Sequence, residues 1–179
     1  MDNDFLLKIV HNNYPDEEIK AAFTQITSKD VAERFDYFIS SLEASPKIMS
    51  LADRLLAKLE QEDVKGWVMK LVEYQRSTDA DVREVTTFIA VNKISEQELI
   101  DNIEALLDYP TLGDKDVVRL IEVLLLSIDP KKLECKIDFL KNKKHPNLRS
   151  RRLVDRLLKN ITKPPRPEKI EEIVAMILS

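Results

Sequence analysis

The side chains with catalytic potential in this chain are few and far apart. Its only histidines, His11 and His145, lie 134 positions from each other, and neither has a Cys, Asp or Glu at a metal-ligand spacing. His145 precedes Pro146 and reads as a turn residue. Cys135 is the single cysteine, which excludes an internal disulfide. With no base beside it in sequence, it reads as a structural or half-exposed thiol rather than a nucleophile. The carboxylate pairs Glu17-Glu18 and Glu171-Glu172 are sequence neighbours, and neighbours on a helix do not face each other. They read as solvated faces, not as an acid–base couple. Two glycines, Gly66 and Gly113, are too few for the turns and close backbone approaches of a phosphate loop or Rossmann-type site. The expectation is a non-enzyme with no catalytic residues, no metal and no cofactor.

Charge offers more. The net charge is -4, but between Lys131 and Lys169 nine lysines and five arginines face four carboxylates, a local +10, while residues 1–130 carry -12. Within that basic region Arg149, Arg152, Arg156 and Lys159 are spaced 3, 4 and 3 residues apart. On a helix this spacing places them in one stripe, opposite Leu153, Val154, Leu157 and Ile161. Lys141, Lys143 and Lys144 precede the stripe and extend it. Such a stripe fits a solvated helix face, an acidic protein surface or a phosphate backbone. Against the last stand the absence of interleaved aromatic residues for base stacking and an isoelectric point near 5.4.

The elements that position these residues follow a period. The helical pattern apolar-x-x-x-apolar-x-x-apolar occurs at Val31/Phe35/Phe38, Val64/Val68/Leu71, Leu99/Ile103/Leu106 and Leu133/Ile137/Leu140, in steps of 33, 35 and 34 residues. A second pattern alternates with it at Leu51/Leu55, Val85/Ile89, Leu120/Leu124 and Leu153/Leu157, in steps of 34, 35 and 33. Punctuation agrees: Ser28-Lys29-Asp30, Ser45-Pro46, Ser77-Thr78-Asp79, Asp129-Pro130 and Pro146-Asn147 each precede a helical run. Ser95 and Glu98 have the spacing of a capping box. The first helix of each pair is expected over 28–42, 63–75, 95–109 and 130–143, and the second over 46–61, 79–93, 114–128 and 146–161. The helix from Asp114 is apolar almost all round, as in the middle of a stack. Lys93 stands where Leu59, Ile128 and Ile161 occur in the other copies, so that end of the second hairpin is expected to pack less tightly.

The run Asp79-Ala80-Asp81-Val82-Arg83, its counterpart His145-Pro146-Asn147-Leu148-Arg149 and the start at Asp129-Pro130 resemble the turn of the HEAT-like repeat family, an acidic residue or proline followed by a basic residue opening the second helix. The resemblance covers roughly residues 28–162. It implies an all-α, right-handed α-solenoid of about five antiparallel hairpins and about eleven helices. The chain divides into a cap hairpin at 1–27, four hairpins at 28–162, and a proline-rich break with a capping helix at 163–179. Tetratricopeptide repeats share the period but not the Trp, Gly-Tyr and small-residue positions, and armadillo repeats need a third short helix. Residues 148–161 also faintly resemble the helical bundle of transcription-elongation-factor N-terminal domains. Some HEAT-like proteins are DNA glycosylases that hold an alkylated base between aromatic rings and a carboxylate. Trp67, Tyr74 and Asp63 are the residues here that resemblance would point to.

The expectation is a scaffold or adaptor that binds an acidic surface of another protein through the basic stripe. The alternatives are a nucleic-acid-binding module, with or without a repair role, and a structural subunit joined through the apolar C-terminal helix. No run approaches the ~18 apolar residues of a membrane span, and Met1–Phe5 lacks the basic-then-apolar order of a secretion signal. With one cysteine, this predicts an intracellular protein, cytoplasmic or nuclear, with no membrane partner.

Overall fold

The structure, a computed structural model, describes residues 21, 24–42, 54–109, 114–143 and 147–162. Most of the expected cap hairpin at 1–27, the C-terminal helix, His11, His145, Gly113, Lys144 and both carboxylate pairs lie outside the described residues. Among the described residues every regular element is helical. In chain order they are α1 (Ser28–Glu33), α2 (Phe35–Leu42), helical residues 54–57, α3 (Val68–Tyr74), α4 (Ala80–Lys93), α5 (Glu96–Asp101), α6 (Ile103–Asp108), α7 (Lys115–Ser127), a 3-10 helix (Lys132–Lys136), α8 (Ile137–Asn142) and α9 (Leu148–Thr162). No helix among them is long and apolar enough to cross a membrane.

Helix starts follow side-chain chemistry. Thr27 and Asp30 form a reciprocal capping box at α1. Asp79 accepts from the Asp81 and Val82 N–H groups, Asp114 from Val117, and Asn147 from Ser150. Each of these satisfies donors that a first helical turn leaves orphaned. Asp79, Asp114 and Asn147 recur in steps of 35 and 33, so the cap is part of the repeat.

The first helix of each pair is not continuous, contrary to the expectation from the apolar pattern. Helices α1 and α5 stop short, residues 58–66 are turn and loop rather than helix, and a 3-10 helix precedes α8, so each following α-helix starts after one of Arg34, Trp67, Asn102 and Lys136. Their backbone angles (φ, ψ) are (-113°, 11°), (-88°, -9°), (-97°, 7°) and (-107°, 4°), all in the bridge region. The carbonyls of Arg34, Trp67 and Asn102 then restart an α-helical ladder by accepting from Phe38, Leu71 and Leu106. No residue type is common to the four positions, so propensity does not make the bend. The flanking core residues are common to all four, and tertiary packing sets it.

The two apolar columns are the core. Val31, Phe35, Phe38, Val64, Val68, Leu71, Leu99, Ile103, Leu106, Leu133 and Leu140 are buried, with Ile137 half-buried. So are Leu55, Val85, Ile89, Leu120, Leu124, Leu153 and Leu157 of the second helices. Helix α7 packs against α3, α4, α6 and α9, which explains an apolar surface on most of its sides. The expected looseness at Lys93 is not seen. Ile94, the next residue, is buried in the vacated place, while Lys93 Nζ reaches back to the Ala57 carbonyl at 3.5 Å.

Polar contacts between successive pairs also repeat. The Glu60 N–H donates to Ser28 Oγ at 2.8 Å, and the Asp129 N–H to Glu96 Oε1 at 3.0 Å; the two acceptors occupy one register position and the two donors another. Tyr74 donates to Asp36 at 2.6 Å, and Tyr109, its equivalent one period on, donates to Glu73. The seam between the second and third pairs has its own device. Ser95 caps α5 by accepting from the Glu98 N–H, but the Glu98 carboxylate does not complete a capping box. It is instead 9% exposed and accepts from the N–H groups of Gly66 and Val68, at 2.9 and 3.2 Å, in the preceding pair. Gly66 turns there with φ +84°, a left-handed conformation that suits glycine.

Replacing Glu98 by Ala removes the acceptor of two N–H groups and is expected to destabilise the fold by about 2–3 kcal/mol. Glu98→Gln, which keeps one amide oxygen, is expected to lose less. A Cβ at Gly66 meets nothing within 4 Å. The loss in Gly66→Ala is therefore backbone strain alone, about 1 kcal/mol. Urea unfolding of the three variants checks the order.

Candidate partner-binding face of the second helices

Caps at Asp79, Asp114 and Asn147 start α4, α7 and α9 in a common register, so residues at matching positions compare directly. Three sets of matching positions change character along the chain, although Val123 is buried and Val91 and Leu126 are half-buried. Glu84, Arg119 and Arg152 are equivalent, as are Phe88, Val123 and Arg156, and Val91, Leu126 and Lys159. Acidic and apolar groups on α4 thus give way to cations on α9.

Between α4 and α7 lies an open cleft of about 550 Å³. Its floor is a buried amide: Gln75 Nε2 donates to Thr86 Oγ1 at 2.8 Å and to the Arg83 carbonyl at 3.1 Å, and Thr87 Oγ1 donates to Gln75 Oε1 at 3.3 Å. Arg83 crosses one end, donating to the Ser77 carbonyl at 2.7 Å and pairing with Asp116 at 3.3 Å. Phe88, 45% exposed, forms an apolar wall with Val91, opposite Leu120 and Val123. At the next seam the residue equivalent to Thr87 is Glu122, whose carboxylate bridges the gap to Arg149 at 3.7 Å and Arg156 at 3.5 Å. A short hydroxyl turned down onto Gln75 leaves the first seam open, whereas a long carboxylate crosses the second.

The expected basic stripe is therefore divided. Arg149 and Arg156 keep 43% and 49% of their side chains exposed while sharing Glu122. Arg152 and Lys159 are exposed on α9, and Lys141 on α8, with no partner among the described residues. Lys143 does not belong with them. It lies in the register of Tyr74 and Tyr109 and acts as they do, pairing with Glu104 and with Asp108 (2.6 Å) of α6. Hydrogen bonds to Asp108 and Glu104 hold its ammonium above the ordinary lysine range. Lys144 lies outside the described residues. Glu122, Phe88 and Gln75 escape a search for chemically active types, although aligning the second helices shows Phe88 as an apolar residue at an outward position.

Trp67 and Tyr74 are brought together through a third ring, in the first helices. Both pack on Phe35, which is fully buried, with ring centroids 4.6 and 5.9 Å away. Lys70 Nζ lies 4.8 Å from the Trp67 ring and 2.6 Å from Asp36. The carboxylate at these rings is Asp36, not Asp63, and the arrangement is that of a packed seam. Cys135 is exposed, with Sγ 3.2 Å from the Lys132 carbonyl. No group of three His, Cys, Asp or Glu side chains converges to hold a metal ion among the described residues. Comparison with protein-family models, with curated proteins and with solved structures finds no match to this chain.

Burial disfavours the Asp36 carboxylate, but hydrogen bonds from Lys70 and Tyr74 and the Lys70 charge outweigh it and lower its pKa below 3.8. The hydrogen bond from the Thr27 hydroxyl, with the Thr27 N–H, lowers that of Asp30. As pH falls, the unfolded chain takes up these protons before the folded chain does. The stability the two groups contribute is thus complete above 3.8 and is lost as pH drops through their lower folded values. Asp36→Asn is expected to lower the urea midpoint at about pH 7 and to flatten its decline toward about pH 3.

Proposed function

We propose that this chain is a HEAT-like, right-handed α-solenoid of about five hairpins, and that it acts inside the cell as a non-catalytic scaffold or adaptor. Its partner is a protein with an acidic surface, engaged by α9. The fold part of this reading rests on polar contacts joining residues about one period apart: 32 for Glu60 and Ser28, 33 for Asp129 and Glu96, and 34 for Arg156 and Glu122. Contacts that join residues about one period apart are what a stack of hairpins requires.

The observation that carries the function is the change of charge along equivalent outward positions. Glu84 on α4 becomes Arg119 on α7 and Arg152 on α9, and α9 adds Lys159. Stacking does not demand this change, since the apolar columns are the same in all three helices. Solvation does not demand it either, since acidic residues serve that purpose on α4. A cationic end on an otherwise acidic molecule selects an acidic protein surface over a nucleic acid, whose backbone the remaining residues repel.

Arg152 and Lys159 are the cleanest probes, because neither has an internal partner among the described residues. Arg152→Glu with Lys159→Glu is expected to reduce capture of the native partner at least about tenfold while leaving helicity and melting temperature unchanged. Capture unaffected by the double reversal removes α9 as the contact surface. Tight, steeply salt-dependent binding of short DNA or RNA by the wild-type chain would favour the nucleic-acid reading instead.

A further inference from the structure

We propose that the second-helix face takes an extended acidic segment of the partner protein, with one apolar side chain of that segment seated in the cleft between α4 and α7. This rests on the acidic-partner reading above and adds to it the form of the ligand and its orientation. The cleft offers an apolar wall in Phe88 that is 45% exposed, and a volume of about 550 Å³, enough for a leucine- or phenylalanine-sized group with its flanking backbone. Polar groups at the rim are suited to a peptide: the exposed Asn92 amide and the exposed Arg119 guanidinium.

Charge complementarity sets the direction. Arg119 on the α7 wall has no partner among the described residues, and Arg152 repeats it one helix further on, followed by Lys159 on the same helix. Glu84, the equivalent on α4, is exposed and also has no partner among the described residues. Carboxylates of the ligand therefore run from the cleft toward α9, and the α4 side disfavours them. Packed helices lie about 8–10 Å apart and extended chain advances about 3.3 Å per residue, so each helix step corresponds to about three residues. Arg119 is half a helix step from the middle of the cleft and Arg152 one and a half, so the segment this selects has an apolar anchor with acidic residues about one and about four positions away, on one side only. The second seam takes no anchor, because Glu122 spans it.

Fluorescence anisotropy of dye-labelled synthetic peptides tests this on the full chain. The probe is Leu-Glu-Ser-Ser-Glu-Ser, made in both chain directions, with one control replacing leucine by serine and another replacing both glutamates by glutamine. One direction of the probe is expected to bind, and either replacement is expected to weaken it about tenfold or more. Phe88→Ser and Arg119→Glu are expected to do the same, with the far-ultraviolet spectrum and melting curve of wild type. Equal affinity for leucine and serine peptides, or binding indifferent to Phe88→Ser but lost in Arg152→Glu, overturns the anchored segment and leaves the acidic-partner reading standing. Failure of every peptide to bind at millimolar concentration, together with binding of a single-stranded oligothymidylate, overturns both.

Discussion

Two short helices cannot bury both of their apolar faces against each other, and most of this structure follows from that constraint. In the stacked arrangement proposed above, each pair covers the one before it and is covered by the one after. The buried positions consequently form columns that run through the chain at a fixed period, from Val31 through Val64 and Leu99 to Leu133. A leucine fully withdrawn from water contributes about 1.5–3 kcal/mol, but only while its neighbour in the next pair is in place. Stability is thus a property of seams rather than of hairpins. Glu98 shows how far the chain goes to close one: a carboxylate is taken almost out of water so that it can accept from Gly66 and Val68 across the seam.

The two layers divide the work. In the first-helix layer the polar groups face the neighbouring pair. Tyr74 and Tyr109 donate to the carboxylates of the preceding pair, and Lys143 does the same at the equivalent place with an ammonium instead of a phenol. The aromatic group of Phe35, Trp67 and Tyr74 belongs to this layer and is used up by it, with Lys70 and Asp36 closing its edge. In the second-helix layer the inward positions carry the column, and the outward positions carry no common contact. They are free to differ from copy to copy, and they do.

What was legible in the sequence was whatever depends on one residue type at one period. Leu71, Ile89, Ile103 and Leu124 are buried because a column needs an apolar side chain there, and a period of 33 to 35 exposes a column at once. The cap at Asp79 was legible for the same reason, as a short acceptor before an apolar run, and the start of the next second helix was legible at Asp114 without its capping role. The bends at Arg34, Trp67, Asn102 and Lys136 were not, because four unrelated residues adopt one backbone conformation under a shared packing demand. Glu98 misled by spacing, which is that of a capping box, while its carboxylate crosses to Gly66. Lys143 misled by charge: it sits beside a basic stripe in sequence, but its register gives it to the first-helix layer. Of the candidate face, α9 was visible as a stripe of cations. The cleft was not, since it arises from what Thr87 lacks relative to Glu122.

That comparison bears on the proposed role of α9, whose cations stay partly exposed despite their internal pairs. Glu122 serves two guanidiniums from 3.5 and 3.7 Å, with all three side chains partly in water, and exposed pairs of this kind are worth only about 0–1 kcal/mol. One carboxylate cannot neutralise two arginines, and Arg152 and Lys159 add further charge to the same helix with no acceptor among the described residues. Carboxylates of the proposed partner would therefore displace little at Arg149 or Arg156, and no contact with a described residue at Arg152. Lys143 is the contrast, since it meets two carboxylates with 23% of its side chain exposed and would surrender both contacts to bind elsewhere. The cations that hold the stack together and the cations that face outward are separated by how many carboxylates each already meets.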